Sequence, residues 1–204
     1  MAERIIGDCR ITFLPVIRGL VSESDRVSAA IAENHECVAV SLGLEEIEAI
    51  KKTDTGEWEY DPSDIDAVYA HNLKAFGEVR VPVPAFKTAI DLCPGIMPLD
   101  MSDEKFTKVY CDCIGIGDML KEKKVAKKGM KGKFDMTSPE SFVMDWDRLM
   151  NTIKGQHAVS LLREEFIADS LIDLAKYRKD VLAVVDFERL EGILFEIDRK
   201  TAGE

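Results

Sequence analysis

The sequence predicts an α/β protein in which helices flank a central, mainly parallel sheet in three layers. It leaves open whether the sheet is mixed, with antiparallel as well as parallel pairs. Short apolar runs bounded by turn residues alternate with segments of helical spacing, and the first four segments follow a βαβα order. Consecutive strands joined through a helix favour parallel pairing. With 204 residues, 46% of them hydrophobic and 32% charged, the chain is predicted to fold as one domain over residues 1–204.

Buried strands are predicted at four apolar runs: 10–16, 37–41, 96–99 and 181–185. Helices are predicted from periodic apolar positions in the segments between them, which include "SESDRVSAAIAEN", "LEEIEAIKK", "DPSDIDAVYAHNLKAFG", "SDEKFTKVYCDCI", "TSPESFVMDWDRLMNTI" and "AVSLLREEFIADSLIDLAKY". In the third of these, Asp61 suits the N-cap and Pro62 the first helical position. Because the predicted strands and helices alternate along the sequence, a strand-to-helix junction follows each strand.

The segment "KEKKVAKKGMKGK", residues 121–133, holds seven lysines beside one acid. Its glycines, few apolar residues and self-repulsion predict a mobile surface loop. The whole chain has a net charge of −11, and the rest of it holds 20 basic and 37 acidic residues, a net charge of −17. Such an acidic body argues against a general affinity for nucleic acid, because phosphate binding needs a broad basic face.

The composition also indicates in which cellular compartment the chain is expected. No segment approaches the ~20 apolar residues of a membrane span, and the first residues, "MAERIIGDCR", lack the apolar core of a secretory signal. The five cysteines are odd in number and lack the spacing of a disulfide framework, which favours free thiols in a reducing cytoplasm. The chain is expected to be cytoplasmic, without membrane association; its oligomeric state stays open.

Standard chemical signatures are absent from the sequence. It has no complete dinucleotide loop, no phosphate-cradling GxxxxGK[ST] and no GxSxG, and its three histidines lack ligand spacing. No cofactor and no metal are therefore expected. Asp100, Asp103 and Glu104 follow the third strand, where they either form a carboxylate cluster or fill the first turn of a helix capped at Ser102.

The last strand runs directly into a helix in "VLAVVDFERLEGI". Asp186 can cap this helix, and Glu188 suits its first turn. Arg189 opposes the helix dipole, so it is predicted to pair with an acid or to meet an anion.

These segments resemble the TraB/PrgY pheromone-shutdown family and its relatives, the TIKI metalloprotease and EreA/ChaN-like superfamily. In that family a first strand runs into Gly-Thr-x-His, a second ends in a glutamate, a late helix begins with an Arg-acid pair, and a last strand runs into Gly-x-Gly-His followed by a glycine. Here "ITFLPVIRGL", "VAVSLGLEEI", "REEFIADSLIDL" and "VLAVVDFERLEGI" stand at these places. The resemblance implies the three-layer fold and a site at the strand ends.

The sequence departs from the family at the residues that would bind metal. Pro15 and Arg18 stand where its first glycine and histidine would be, and Ser41 stands in place of the glutamate. Asp186, Glu188 and Arg189 replace the last Gly-x-Gly-His, whereas Arg163 and Gly192 match the family. Arginine offers no lone pair to a divalent metal at neutral pH. The family's metalloprotease activity is therefore not expected.

Three functions stay open. In the favoured one the chain is a non-catalytic scaffold or interaction protein, with Arg18 and Arg189 neutralised by Asp100, Asp186 or Glu188. In the second, these arginines, with Arg163 and Ser41, bind a small carboxylate or phosphate ligand. In the third, Asp100, Asp103, Glu104 or Asp186 hold Mg²⁺ for hydrolysis. Because Arg18 and Arg189 each follow a strand, we expect them to lie near each other at one edge of the sheet.

Overall fold

The computed structural model describes residues 2–53, 63–80 and 83–202. In these ranges five strands form one sheet in the order β1-β2-β5-β3-β4. The strands are β1 (Ala2–Ile6), β2 (Cys9–Val16), β3 (Cys37–Val40), β4 (Met97–Pro98) and β5 (Asp180–Asp186). Only the β1–β2 pair is antiparallel, while β2–β5, β5–β3 and β3–β4 are parallel. The sheet is thus mixed but mainly parallel, and β5 lies at its centre.

The described helices are α1 (Glu23–Ile31), α2 (Leu44–Thr53), α3 (Asp64–Leu73), α4 (Pro84–Leu92), α5 (Asp103–Cys113), α6 (Ile116–Gly129), α7 (Pro139–Met150), α8 (Lys154–Ala175) and α9 (Leu190–Thr201). A short 3-10 turn, Phe187–Arg189, joins β5 to α9. Among these helices none has the length and apolar character required to cross a bilayer.

Two apolar layers cover the two faces of the sheet, which confirms the three-layer α/β prediction. On one face α1, α2 and α4 contribute buried residues such as Val27, Ile47 and Phe86. On the other face α8 and α9 contribute Ile167 and Ile193, among others. Strand β5 is buried along nearly its whole length because helices cover both of its faces.

A third apolar cluster lies beyond the carboxyl end of β2 and is built by α3, α6 and α7. Its centre is aromatic: the ring of Phe142 lies 5.3 Å from that of Phe134, edge to face, and Tyr69 lies 5.8 Å from Trp146. Edge-to-face pairs at such distances add stability beyond the area they bury. The cluster closes one side of the strand-end edge, where the site residues lie.

The four predicted strands all exist, and no boundary is shifted by more than one residue. Strand β1 was not among them, because its exposed and buried residues alternate at the sheet edge and give no apolar run. Ser102 caps α5, since its hydroxyl accepts a hydrogen bond from the backbone N–H of Lys105. The cap predicted at Asp61 and Pro62 lies outside the described residues; α3 begins after Ser63, which forms a capping box with Asp66.

The prediction of a loop at residues 121–133 is wrong for most of its length, because α6 extends to Gly129. Val125, Ala126 and Gly129 are buried on the inner side of this helix, and its lysines point outward. Packing against Trp146 and Val68 thus outweighs the self-repulsion of the lysines. Composition alone does not indicate this helix, because only these three small or branched residues form the side that packs against the rest of the protein.

The packing of α6 predicts opposite effects for two glycine substitutions in the same helix. A Cβ at Gly129 would lie 2.8 Å from both the Trp146 ring and the Val68 side chain, whereas one at Gly117 would meet nothing within 4 Å. We expect Gly129→Ala to lower the free energy of unfolding by about 1–3 kcal/mol through overpacking. Gly117→Ala should leave it unchanged or raise it by about 0.5–1 kcal/mol. Urea unfolding measures both; equal effects would mean that α6 is not packed as described.

Candidate functional site

The carboxylate of Asp186 lies at the end of the central strand β5 and is 1% exposed. Its Oδ1 accepts a hydrogen bond from Arg18 Nε at 3.3 Å, and its Oδ2 accepts one from the Ser41 hydroxyl, also at 3.3 Å. Arg189 Nε lies 3.7 Å from Oδ2, close enough for an ion pair but without a hydrogen bond. We call Arg18, Ser41, Asp186 and Arg189 the Asp186 cluster.

The strand order brings these four residues together. Arg18 follows β2 and Ser41 follows β3, the two strands that flank β5. The carboxyl ends of parallel strands meet at one edge, so both side chains reach the end of β5. The backbone N–H of Asp186 also donates to the Ser41 hydroxyl at 3.1 Å, and Ser41 N–H donates to the Val184 carbonyl. Arg18 and Arg189 therefore lie against the same carboxylate.

A second buried ion pair joins α8 to the segment after β4. Arg163 donates hydrogen bonds from Nε, at 2.7 Å, and from a terminal nitrogen to one carboxylate oxygen of Asp100. The side chains are 14% and 2% exposed. The other oxygen of Asp100 accepts the backbone N–H of Met101 at 2.8 Å. This pair fixes α8 to the strand-end edge.

Gly192 in α9 leaves room for the Glu164 side chain of α8. A Cβ at this position would overlap the carboxylate of Glu164 on α8. The backbone angle of Gly192 is not in the left-handed region, so a larger residue here would require only that the flexible Glu164 side chain move. Arg163 thus fixes α8 through Asp100, whereas Gly192 only borders the Glu164 side chain.

Opposite charges dominate the electrostatics of the Asp186 cluster. Burial alone would raise the pKa of Asp186, but Arg18, Arg189 and Arg163 outweigh it and hold that pKa below its usual value. The nearby Asp186 raises the pKa of Arg18. Burial, and then the positive charge of Arg163, lower the pKa of Arg189. Arg189 is thus the least well compensated of these arginines.

Glu188 lies in the 3-10 turn and has a different environment. Its Oε2 is buried and has no hydrogen-bond partner among the described residues. Burial, and then the charge of Asp186, raise the pKa of Glu188 to about 7. Burial and the proximity of Glu188 likewise raise the pKa of Tyr69 well above its usual value. The Tyr69 hydroxyl also lacks a partner within the described part of the chain.

A pocket of about 180 Å³ adjoins the cluster on the side of α7 and α8. It combines an aromatic and aliphatic wall with charged and polar groups. Its lining residues are Tyr69, Phe106, Val143, Trp146, Asp147, Met150, Asn151, Gln156, Val159, Ser160, Arg163, Glu188 and Arg189. Arg189 donates a hydrogen bond to the Ser160 hydroxyl at 3.2 Å, so this arginine lies between the Asp186 cluster and the pocket.

The residues singled out from the sequence gather at this edge, with two exceptions. Asp103 and Glu104 are exposed in the first turn of α5, the helix that Ser102 caps. Asp186 does not cap the following turn, because its carboxylate is engaged by Arg18 and Ser41. Over residues 2–53, 63–80 and 83–202, no three His, Cys, Asp or Glu side chains are placed to hold a metal ion.

Sequence reasoning missed the pocket residues supplied by α3, α7 and α8, notably Tyr69, Trp146 and Ser160. Tyr69 and Trp146 occupy apolar positions of amphipathic helices, which is the usual pattern of core residues. The sequence holds no signal for the position of α3 and α7 beyond the end of β2. Only tertiary structure brings these side chains to Glu188 and Arg189.

No protein-family model matches this chain, and no curated protein matches it either. Its function has therefore to be inferred from the geometry of the site.

Arg18→Ala and Arg163→Ala should lower the free energy of unfolding by different amounts, because the carboxylate partner of Arg18 keeps a second cation and that of Arg163 does not. Arg18 is 38% exposed and shares Asp186 with Arg189, so Arg18→Ala should lower the free energy of unfolding by about 1–3 kcal/mol. Arg163→Ala leaves Asp100 without its cation and should cost about 3–5 kcal/mol. Arg80→Ala, which breaks an exposed pair with Glu78, is the control, with a change below about 1 kcal/mol. Urea unfolding at pH 7 gives the order, and equal losses would contradict the geometry.

Glu188 should make the protein less stable as pH rises. A carboxyl group whose pKa rises from 4.5 to about 7 on folding binds more protons in the native state. Its stabilising contribution is full below pH 4.5 and is lost as pH rises through 7. Glu188→Gln should flatten this fall in thermal melts, while exposed Glu191→Gln should not. Asp147 and Glu164, whose pKa values burial also raises, are present in both variants and cancel in the comparison.

Proposed function

We propose that this chain is a non-catalytic interaction protein built on a divergent TraB/TIKI-like α/β domain. One observation carries the proposal: the arginines at the strand-end edge are paired with carboxylates of the chain itself. Arg18 and Arg189 face Asp186, and Arg163 faces Asp100. The relation to the family is supported by position, since the junctions that resemble its motifs converge at this edge.

The internal pairing argues against hydrolysis at this edge. A hydrolytic metal needs several ligands with free lone pairs. The side chains in the family's ligand positions are Arg18, Ser41 and Arg189, and the buried Asp186 is engaged by all three. Asp103 and Glu104 point to solvent in α5 rather than toward Asp186. The residues at this edge therefore suit a structural role better than metal-dependent hydrolysis.

The outer side of α6 is the surface that best suits a protein partner. It presents Ile116, Met119 and Leu120, which are 80%, 47% and 58% exposed, followed at helical spacing by exposed Lys123, Lys124, Lys127 and Lys128. We call these seven residues the α6 face. Exposed apolar side chains beside a cluster of like charges are typical of interaction surfaces.

Charge complementarity indicates an acidic partner. Of the seven lysines in 121–133, Lys121 pairs with Asp118, and the other six form no ion pair with any described residue. Because ionic screening limits electrostatic reach to about 8 Å at physiological salt, the local lysines outweigh the acidic body for a segment docked on the α6 face. An acidic protein segment with a few apolar side chains is therefore the partner class.

The test uses a fluorescein-labelled poly-glutamate peptide as the probe, with binding followed by anisotropy. We expect binding that weakens with salt. Replacing Lys123, Lys124, Lys127 and Lys128 together by Gln should weaken it roughly fourfold or more, since each exposed ion pair contributes about 0.2–1 kcal/mol. The matched control replaces four exposed lysines elsewhere by Gln: Lys51, Lys74, Lys108 and Lys179.

Equal losses in the two quadruple variants would mean that only total charge matters, and absent binding would remove the α6 face as a docking surface. The non-catalytic assignment has its own contradiction: stoichiometric Zn²⁺ or Mn²⁺ in protein purified without added metal, lost on Asp186→Asn. A rise in melting temperature with phosphate, abolished by Arg189→Ala, would instead favour a small anionic ligand at the arginines.

A further inference from the structure

A second pocket, of about 510 Å³, lies between the end of α6, the segment that follows it and α7. Its lining combines two partly buried apolar side chains, Phe134 and Leu149, with four exposed lysines. The lysines are Lys127, Lys128, Lys131 and Lys133. We call this space the lysine pocket. Its lining residues differ from those of the pocket beside the Asp186 cluster.

The packing of Phe134 brings the four lysines together. Its ring lies 5.3 Å from that of Phe142, edge to face, and 5.8 Å from that of Trp146. These contacts hold the segment after α6 against α7, and they place Lys131 and Lys133 at the same pocket as the last turn of α6. Like charges gathered at one pocket repel each other, and a bound anion would offset that repulsion.

The described part of the chain does not neutralise these lysines. None of the four forms an ion pair with a described residue. Asp145 is the one acid among the described lining residues, and both of its carboxylate oxygens are engaged. Its Oδ1 pairs with Arg148 at 2.9 Å, and its Oδ2 accepts a hydrogen bond from the backbone N–H of Asp135 at 2.7 Å. The lysine pocket is therefore strongly positive.

The dipole of α6 accounts for only two of the lysines. Lys127 and Lys128 lie in the last turn of the helix, where cations are favoured. Lys131 and Lys133 lie beyond the end of the helix at Gly129, and the effect of the dipole falls off within the last turn. A ligand with several negative charges gives a role to all four.

The apolar part of the lining and the size of the pocket restrict the ligand further. A volume of about 510 Å³ is within the roughly 300–1,000 Å³ that small-molecule sites occupy. Lysine binds phosphate as a point charge, and bases pack favourably on aromatic side chains. A molecule with several phosphates joined to an aromatic ring system matches both parts of the lining.

We infer that the lysine pocket binds a nucleoside polyphosphate. Its phosphates lie among the lysine ammonium groups, and its base packs against Phe134 and Leu149. Ionic screening limits the repulsion from the acidic body to a range of about 8 Å at physiological salt. The inference does not rest on the proposed protein partner, because Lys131, Lys133 and Phe134 lie outside the α6 face.

Isothermal titration calorimetry of the intact chain with ATP, in the absence of divalent cations, tests the inference. Two related molecules each lack one part of ATP: tripolyphosphate lacks the nucleoside, and adenosine lacks the phosphates. We expect saturable binding of ATP that weakens with salt. ATP should bind at least about fivefold more tightly than tripolyphosphate, because the base adds an aromatic contact. Adenosine should bind far more weakly than ATP, because it carries no charge for the lysines.

A double variant tests the two lysines beyond α6 and leaves all seven residues of the α6 face in place. Lys131→Gln combined with Lys133→Gln should weaken ATP binding by about two- to thirtyfold. The matched control combines Lys108→Gln with Lys179→Gln, which makes the same change in net charge at two exposed lysines elsewhere. The control should bind ATP as the wild type does.

The aromatic contact is tested by a ratio of two affinities measured on the same protein. Phe134→Leu keeps an apolar side chain but removes the ring, so it should bring the preference for ATP over tripolyphosphate close to one. Phe195→Leu, at a residue of α9 that is 65% exposed, should keep the wild-type preference. A general loss of stability would weaken the binding of both ligands and would not change their ratio.

Three results would overturn the inference. The first is the absence of saturable ATP binding to the wild type. The second is binding of tripolyphosphate as tight as that of ATP, which would mean that the pocket attracts any polyanion and that Phe134 has no part in recognition. The third is the same weakening in both double lysine variants, which would attribute binding to the net charge of the chain.

Discussion

The buried carboxylate of Asp186 is the constraint on which the strand-end edge depends. It ends the central strand, and a charge without partners at that depth would be expensive. The flanking strands supply those partners, because Arg18 follows β2 and Ser41 follows β3, while Arg189 comes from the turn into α9. The position of three chain segments is thus tied to one side chain.

Much of this edge could be predicted from the sequence because parallel strands impose it. The apolar runs of β2, β3 and β5 identify buried strands, and their order places Arg18 and Asp186 together. Strand β1 and helix α6 could not be predicted in the same way. In β1 the residues alternate at an exposed edge, and in α6 contacts with Trp146 and Val68 stabilise a lysine-rich helix. Contacts between residues far apart in the chain leave no pattern in the local sequence.

Arginines at two of the strand-to-helix junctions determine what holds the edge together. Arg18 and Arg189 need an anion between them, and Asp186 provides it. A buried network of this kind adds little net stability over an apolar core, but losing one member is costly. The energetics of such a network therefore favour retention of the whole set.

Arg189 lies between the Asp186 cluster and the pocket that adjoins it. One side of its guanidinium faces Asp186 without a hydrogen bond from Nε, and the other side contacts Ser160 at the pocket. Burial and Arg163 lower its pKa, so an additional acceptor would stabilise its charge. Glu188, one residue earlier, has its Oε2 buried without a hydrogen-bond partner among the described residues. Asp186, the last residue of β5, is thus held by three partners, whereas the two charged residues of the following turn each keep one buried polar atom unpaired within the described part of the chain.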